Sequence, residues 1–176
     1  QDITHLPLCD RAHLGLSYLP QEPSIFRGLT VANNLKAALE LTKLTPDEQN
    51  IKQQQLIQQF HLQHCAHTLG AALSGGERRR AEIARALTPE PQPKIILLDE
   101  PFAGIDPRSI YETKQLIQQL AQQGIAILMT DHNARDTLGI CERIYILAQG
   151  SVLAHGTPKE MIQNDEVRQV YLGEHF

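Results

Sequence analysis

The chain has 176 residues, 41% hydrophobic and 20% charged, enough for one substantial core and the balance of an ordinary globular protein. A net charge of −4 with pI near 6.1 provides no basic field for extended nucleic-acid binding, so no nucleic-acid partner is expected. Cys9, Cys65 and Cys141 are widely spaced without a C-x-x-C pair, which argues against a disulfide framework and a zinc site and fits a reducing compartment. No apolar run approaches the roughly 20 residues that span a bilayer, so any membrane association is expected to run through a partner. The opening Gln1-Asp2-Ile3-Thr4 lacks an initiator Met and suggests truncation at the amino end.

Leu16 to Leu19 reads as a short strand ended by Pro20, followed by a loop to Gly28. Thr30 caps a helix with Leu35, Ala38 and Leu39 on one face. Thr45-Pro46-Asp47-Glu48 then joins a capping box to a proline at the first helical position, so 30–64 is helical. Ser74 to Leu87 is a third helix with Ile83, Ala84 and Leu87 inward, stopped by Pro89, Pro91 and Pro93. Ile95-Ile96-Leu97-Leu98 is too short for a helix and reads as a central parallel strand covered on both faces, with Asp99 and Glu100 at its carboxyl end.

Asp106-Pro107 starts another helix, with Ile110, Ile117 and Leu120 inward and Gly124 as terminator, and Ile125 to Met129 reads as a second buried strand. A helix near 134–140, a strand over 143–147, a turn at Gln149-Gly150 and a strand over 151–154 follow; Thr157-Pro158 opens a helical pair reaching Leu172. The alternation of buried strand and helix predicts an α/β domain with a parallel sheet, whose ligand site lies beyond the strands' carboxyl ends.

Two segments carry chemistry. In Leu73-Ser74-Gly75-Gly76-Glu77, Ser74 and Glu77 form a capping box, while the glycines leave N–H groups unshielded at a positive helix terminus; this is an anion site or a plain helix cap. Asp99 at a strand tip can hold Mg²⁺, usually through water, and Glu100 can orient or deprotonate a water; a solvated strand end is the alternative. Arg78, Arg79 and Arg80 point in different directions on a helix, which favours solvated or ion-paired roles over nucleic-acid or lipid binding.

In order along the chain, Gln21, Ser74 to Glu77, Asp99-Glu100-Pro101, Ala103 to Asp106 and His132 resemble the ABC-type ATPases over essentially the whole chain. The resemblance implies an α/β, P-loop NTPase-like parallel sheet lacking its first strands, in a single partial domain. Its parts would be a helical subdomain at about 22–88, an α/β core from 1–21 and 89–155, and terminal helices over 156–176. It implies ATP and Mg²⁺ as ligands, with Gln21 and Asp99 toward the metal, and Ser74, Gly75, Gly76 and Glu77 as the signature that covers nucleotide. Glu100 would be the general base, Asp106 the end of the loop joining two copies, and His132 the switch residue at the γ-phosphate.

The implied partners are a second ATPase subunit and membrane subunits met by Phe26 and Arg27, on the cytoplasmic face of the inner membrane. Tyr18 to Glu22, Ser24 to Arg27, Thr130 to Asn133 and Tyr171-Leu172-Gly173-Glu174 narrow the resemblance to ATPases of lipopolysaccharide exporters. A branched-chain amino-acid importer ATPase and a non-catalytic transporter-binding module are the alternatives.

The family holds its phosphates on G-x-x-x-x-G-K-[ST], whose N–H groups, lysine and hydroxyl cradle them and their Mg²⁺. No Gly-Lys pair occurs in this chain, and only 20 residues precede Gln21. The expectation is a chain with little hydrolysis of its own and an exposed sheet face or edge.

Overall fold

A computed structural model describes residues 2–172; the Gly173-Glu174 end of the tail motif lies outside the described residues. The chain forms two compact units, one up to Thr130 and one from Asp131. The division falls inside the 89–155 segment expected as α/β core, with its part after Thr130 in the second unit.

In the first unit, α1 (Leu8–His13), a short helix that the sequence reading did not anticipate, precedes β1 (Leu16–Leu19), the strand it did. Thr30 accepts the Asn33 N–H and starts α2 (Val31–Leu39), while Thr45 and Glu48 close a capping box around α3 (Pro46–Gln59), as their sequence predicts. Val31, Leu35, Leu39, Phe60 and Leu62 are all 0% exposed and form the centre of this helical region. α4 (Gly75–Ala86) follows, capped by Ser74 and Glu77, then β2 (Ile95–Asp99), α5 (Pro107–Gln122) and β3 (Ala126–Thr130).

The sheet runs β1-β2-β3 with both pairings parallel, Leu16 opposite Ile95 and Ile95 opposite Ala126. That register puts Ser17, Leu19, Ile96 and Leu98 on one face, where all four are buried; α4 packs against β1 and α5 against β3. The other face carries Tyr18, Ile95 and Leu128, which are 47, 40 and 62% exposed. The expectation of strands covered on both faces is therefore corrected. A run of aliphatics reports that a strand is apolar and not how many layers cover it, and among the described residues the helices cover one face.

The second unit holds α6 (Ala134–Leu138), an antiparallel hairpin of β4 (Ile144–Ala148) and β5 (Ser151–Gly156), α7 (Pro158–Gln163), α8 (Asp165–Val167) and a π-helical turn to Leu172. Gln149 and Gly150 form the hairpin turn, both with positive φ. Ile144, Ile146, Met161 and Val167 make its core.

Candidate functional site

The three parallel strands end together, and their tips carry the chemistry the sequence singles out. β2 ends at Asp99, paired in register with Thr130 at the end of β3. Thr130 Oγ1 donates to Asp99 Oδ1 at 2.5 Å and the Tyr18 hydroxyl donates to Oδ2 at 3.3 Å. Desolvation, followed by the Asp99 charge, pushes the Tyr18 phenol upward in pKa. Two residues past β1, Gln21 crosses to the next residue of the β2 tip and donates from Nε2 to Glu100 Oε2 at 2.8 Å. The expected metal carboxylate, base and Q-loop glutamine thus converge from segments about 80 residues apart.

Glu100 has φ of +41°, a left-handed conformation that a non-glycine residue adopts at a cost of about 1–3 kcal/mol. It is held there on both sides. Its N–H donates to the Thr130 carbonyl at 3.0 Å, and its own carbonyl accepts from Ala103 N at 3.1 Å and Arg79 Nη2 at 3.1 Å.

Arg79 is one of the residues that sequence reasoning missed. Expected to be solvated or ion-paired, its side chain is 7% exposed and does more than pair with Glu82 at 3.5 Å. Nε donates to Pro101 O at 3.1 Å, Nη1 to Pro20 O at 2.9 Å, and Nη2 to Asp99 O at 2.7 Å as well as to Glu100 O. One buried guanidinium from α4 therefore ties the residue before Gln21 to three consecutive carbonyls around the β2 tip. Burial lowers its pKa, with Glu82 opposing, but a guanidinium stays charged. The available signal was the Arg79–Glu82 spacing of three, which stacks both side chains on one helix turn beside the apolar Ile83.

Glu82, 3% exposed, turns its other oxygen to the loop after Gln21 and accepts the N–H groups of Ser24 at 2.7 Å and Ile25 at 3.1 Å. Arg85 donates to Ser24 O at 2.7 Å and stands 4.9 Å over the Phe26 ring. Asn34, 0% exposed on α2, accepts from Phe26 N at 2.8 Å and donates to the carbonyls of Phe26, Leu29 and Thr30. These three side chains mould the segment so that Phe26, 54% exposed, and Arg27 face outward.

At the start of α4, Ser74 Oγ donates to Glu77 Oε2 at 2.6 Å and Ser74 N does so at 2.9 Å; these bonds, helped by His64, hold the Glu77 carboxyl down at about 2. Gly76 is buried, and a Cβ there would lie 2.1 Å from Ser109 Oγ. Its glycine is required by the close approach of α4 to α5, a reason different from the open N–H groups inferred from sequence. At Gly75 a Cβ would meet Gly104 O at 3.0 Å. Asp106 caps α5, accepting from Arg108 N and Ser109 N at 3.1 Å each; the Ser109 hydroxyl, then its N–H, depresses the Asp106 pKa. A cleft of about 260 Å³ is bounded by Gln21, Gly75, Arg78, Glu82, Gly104 and Ile105, so the loop at Gln21, the start of α4 and the loop before α5 border one space. His132 belongs to the second unit, on the turn before α6, where Asp131 Oδ1 accepts Asn133 N at 2.8 Å.

A parallel sheet with carboxylates at its strand tips and an inserted helical region beside a capped Ser-Gly-Gly-Glu helix is the architecture of an ATP-binding cassette. The ABC transporter family profile matches residues 1–103, and a profile of the branched-chain amino acid ATP-binding cassette transporter matches residues 151–176. The chain belongs to the ABC transporter ATP-binding family.

Its relatives include the lipopolysaccharide export system ATP-binding protein LptB of Acidithiobacillus ferridurans, 55% identical over 100% of this chain and 72% of that protein. The protein of the same name from Haemophilus influenzae is 52% identical over 100% and 73%, and that from Escherichia coli K12 is 51% identical over 99% and 72%. Among solved structures, the ADP conformation of the ATP-binding cassette MJ1267 of an ABC transporter matches with TM-score 0.81 and 25% identity, over 99% of this chain and 74% of that one. The cbiO1 protein of Clostridium perfringens, part of the ABC transporter complex cbiONQ, matches with TM-score 0.80 and 27% identity, over 94% and 66%. The expected parallel-sheet fold with a helical insertion holds in these comparisons. Among the described residues no helix is long and apolar enough to cross a membrane.

Proposed function

We propose that this chain carries the lid and the general base of an ATPase subunit that powers lipopolysaccharide export. The observation that carries this reading is the contact of Gln21 with Glu100 beside Asp99 at the strand tips, in a chain 51–55% identical to lipopolysaccharide export ATP-binding proteins. Glu100, held in its strained conformation and aimed by Gln21, takes the proton of the attacking water. His132 is the switch residue that reads the γ-phosphate. The start of α4 at Ser74, Gly75 and Gly76 closes over nucleotide held on the phosphate loop of a second ATPase subunit, with Glu77 keeping that helix terminus in shape and Asp106 at the end of the loop that links the two subunits.

The donors at the β2 tip are carboxylate, hydroxyl and amide oxygens, the hard set that suits Mg²⁺, and Asp99 and Gln21 would hold it directly or through water. Bound there with ATP, Mg²⁺ supplies neutralisation of phosphate charge. Phe26 and Arg27, presented by Asn34, Glu82 and Arg85, meet the membrane subunits at the cytoplasmic face of the inner membrane. Lipopolysaccharide itself touches those membrane subunits and never this chain.

A second reading, an importer of branched-chain amino acids, is favoured by the profile match over 151–176. Affinity capture of the complete gene product with its membrane subunits separates the two, because the subunits recovered are those of one transporter or the other.

The catalytic reading is tested by phosphate release from the complete gene product. Glu100→Gln is expected to reduce Mg²⁺-dependent turnover by about 100-fold or more while ATP still binds. Turnover within a few-fold of the unaltered protein would remove Glu100 as the base.

A further inference from the structure

His64 lies outside the motifs yet reaches one of them. It projects from the 3₁₀ turn Gln63–Cys65, which is anchored by the buried Leu62, Cys65 and Ala66, and its Nε2 is 2.8 Å from Glu77 Oε1. The other carboxylate oxygen takes Ser74 N and Oγ, so both oxygens of Glu77 are engaged. With its pKa near 2, Glu77 is an ionised acceptor, and the imidazole nitrogen facing it must be the donor.

We propose that His64 is a positioning residue for the nucleotide lid, holding and offsetting the carboxylate that this chain carries in its signature. The proposal rests on the functional reading above, in which the start of α4 covers a nucleotide phosphate. A carboxylate stabilises that helix terminus when no ligand is present, but it opposes a second anion brought to the same N–H groups. A glutamine at position 77 would carry no such charge. Arg80, buried three residues further along α4, turns its Nη1 to Glu112 at 2.8 Å, and His64 is the donor seated on the Glu77 carboxylate beyond its own cap.

His64, Cys65 and Glu77 also place three ligand-type atoms within 4.8 Å of one another. Cys65 instead donates a hydrogen bond from its thiol to Leu62 O at 3.5 Å, and burial, then the Glu77 charge, disfavours the thiolate a metal would need. The group is a hydrogen-bonded strap.

The test is steady-state ATP hydrolysis by the complete gene product. His64→Ala is expected to raise KM for ATP about three- to tenfold with kcat within about twofold, since Glu100 and its support are untouched. In a Glu77→Gln background the same change is expected to leave KM where Glu77→Gln alone sets it. An unchanged KM, an equal rise in both backgrounds, or a fall in kcat and Tm at constant KM would each overturn the proposal; the last outcome would make His64 a packing residue only. Turnover indifferent to His64 would overturn this proposal alone, whereas no turnover at all in the unaltered protein would overturn the functional reading and this one with it.

Discussion

Arg79 braces the site through bonds that no other single side chain could supply. Its planar fork reaches four carbonyls on two chain segments and a buried carboxylate, and a lysine has one charged nitrogen where these five acceptors lie apart. Arg79→Ala leaves Glu82 buried without its cation and is expected to destabilise the fold by about 3–5 kcal/mol in chemical denaturation. Arg79→Lys should recover only part of that, and a loss below about 1 kcal/mol for the alanine variant would contradict the brace. Glu77 contributes stability with a definite pH dependence. Its folded pKa, about 2, is below the ordinary carboxylate value near 4.5, so its stabilisation is complete above that ordinary value and is lost as pH falls toward 2. The stability difference between the unaltered chain and Glu77→Gln should therefore stay level from about pH 7 to 5 and shrink below it. A difference that is flat down to pH 2 would contradict the bonding seen at Ser74 and His64.

Helix α4 is the element on which the site is assembled, since it sends Arg79 to the strand tips, Glu82 and Arg85 to the loop after Gln21, and Gly76 against α5. Gly76→Ala is expected to cost about 1–3 kcal/mol through overpacking, with partial restoration by Ser109→Gly, because a Cβ at 76 would overlap Ser109. A thermal-denaturation midpoint unchanged by Gly76→Ala would remove the close-packing explanation. The start of α4 was legible in the sequence because capping is local: Ser74 and Glu77 are three residues apart and need nothing else to be recognised. The same holds for Thr30, Thr45, Asp106 and Thr157, each of which caps the helix that follows it. Arg79, Glu82 and Asn34 were not legible as functional supports. Their partners are brought near only by the fold, and a charged or amide residue on a helix carries no local mark that its face is buried. Asp99 and Glu100 were found from the strand they end, whereas the strain at Glu100 depends on Thr130 and Arg79 and has no signature in its own neighbourhood.

The molecule as a whole presents an open sheet face in its first unit, with Tyr18, Ile95 and Leu128 exposed on the same side as Asp99 and Thr130. Apolar surface of this kind drives association. The 176-residue chain is expected to run above monomer mass in light scattering, and Leu128→Lys to shift it toward the monomer; a monomer with a sharp reversible unfolding transition would contradict that expectation. The division of labour in the proposed function is also a property of the whole chain. In that proposal Ser74 to Glu77 serve as signature, Glu100 as base and Gln21 as the glutamine that aims it, while the 176 residues contain no G-x-x-x-x-G-K-[ST] segment to cradle phosphates. The most direct measurement is Mg²⁺-dependent phosphate release, compared between the complete gene product and the 176-residue chain. The account predicts turnover by the complete product that Glu100→Gln abolishes, and none above background from the chain by itself. Turnover by the 176-residue chain that disappears with Glu100→Gln would contradict it.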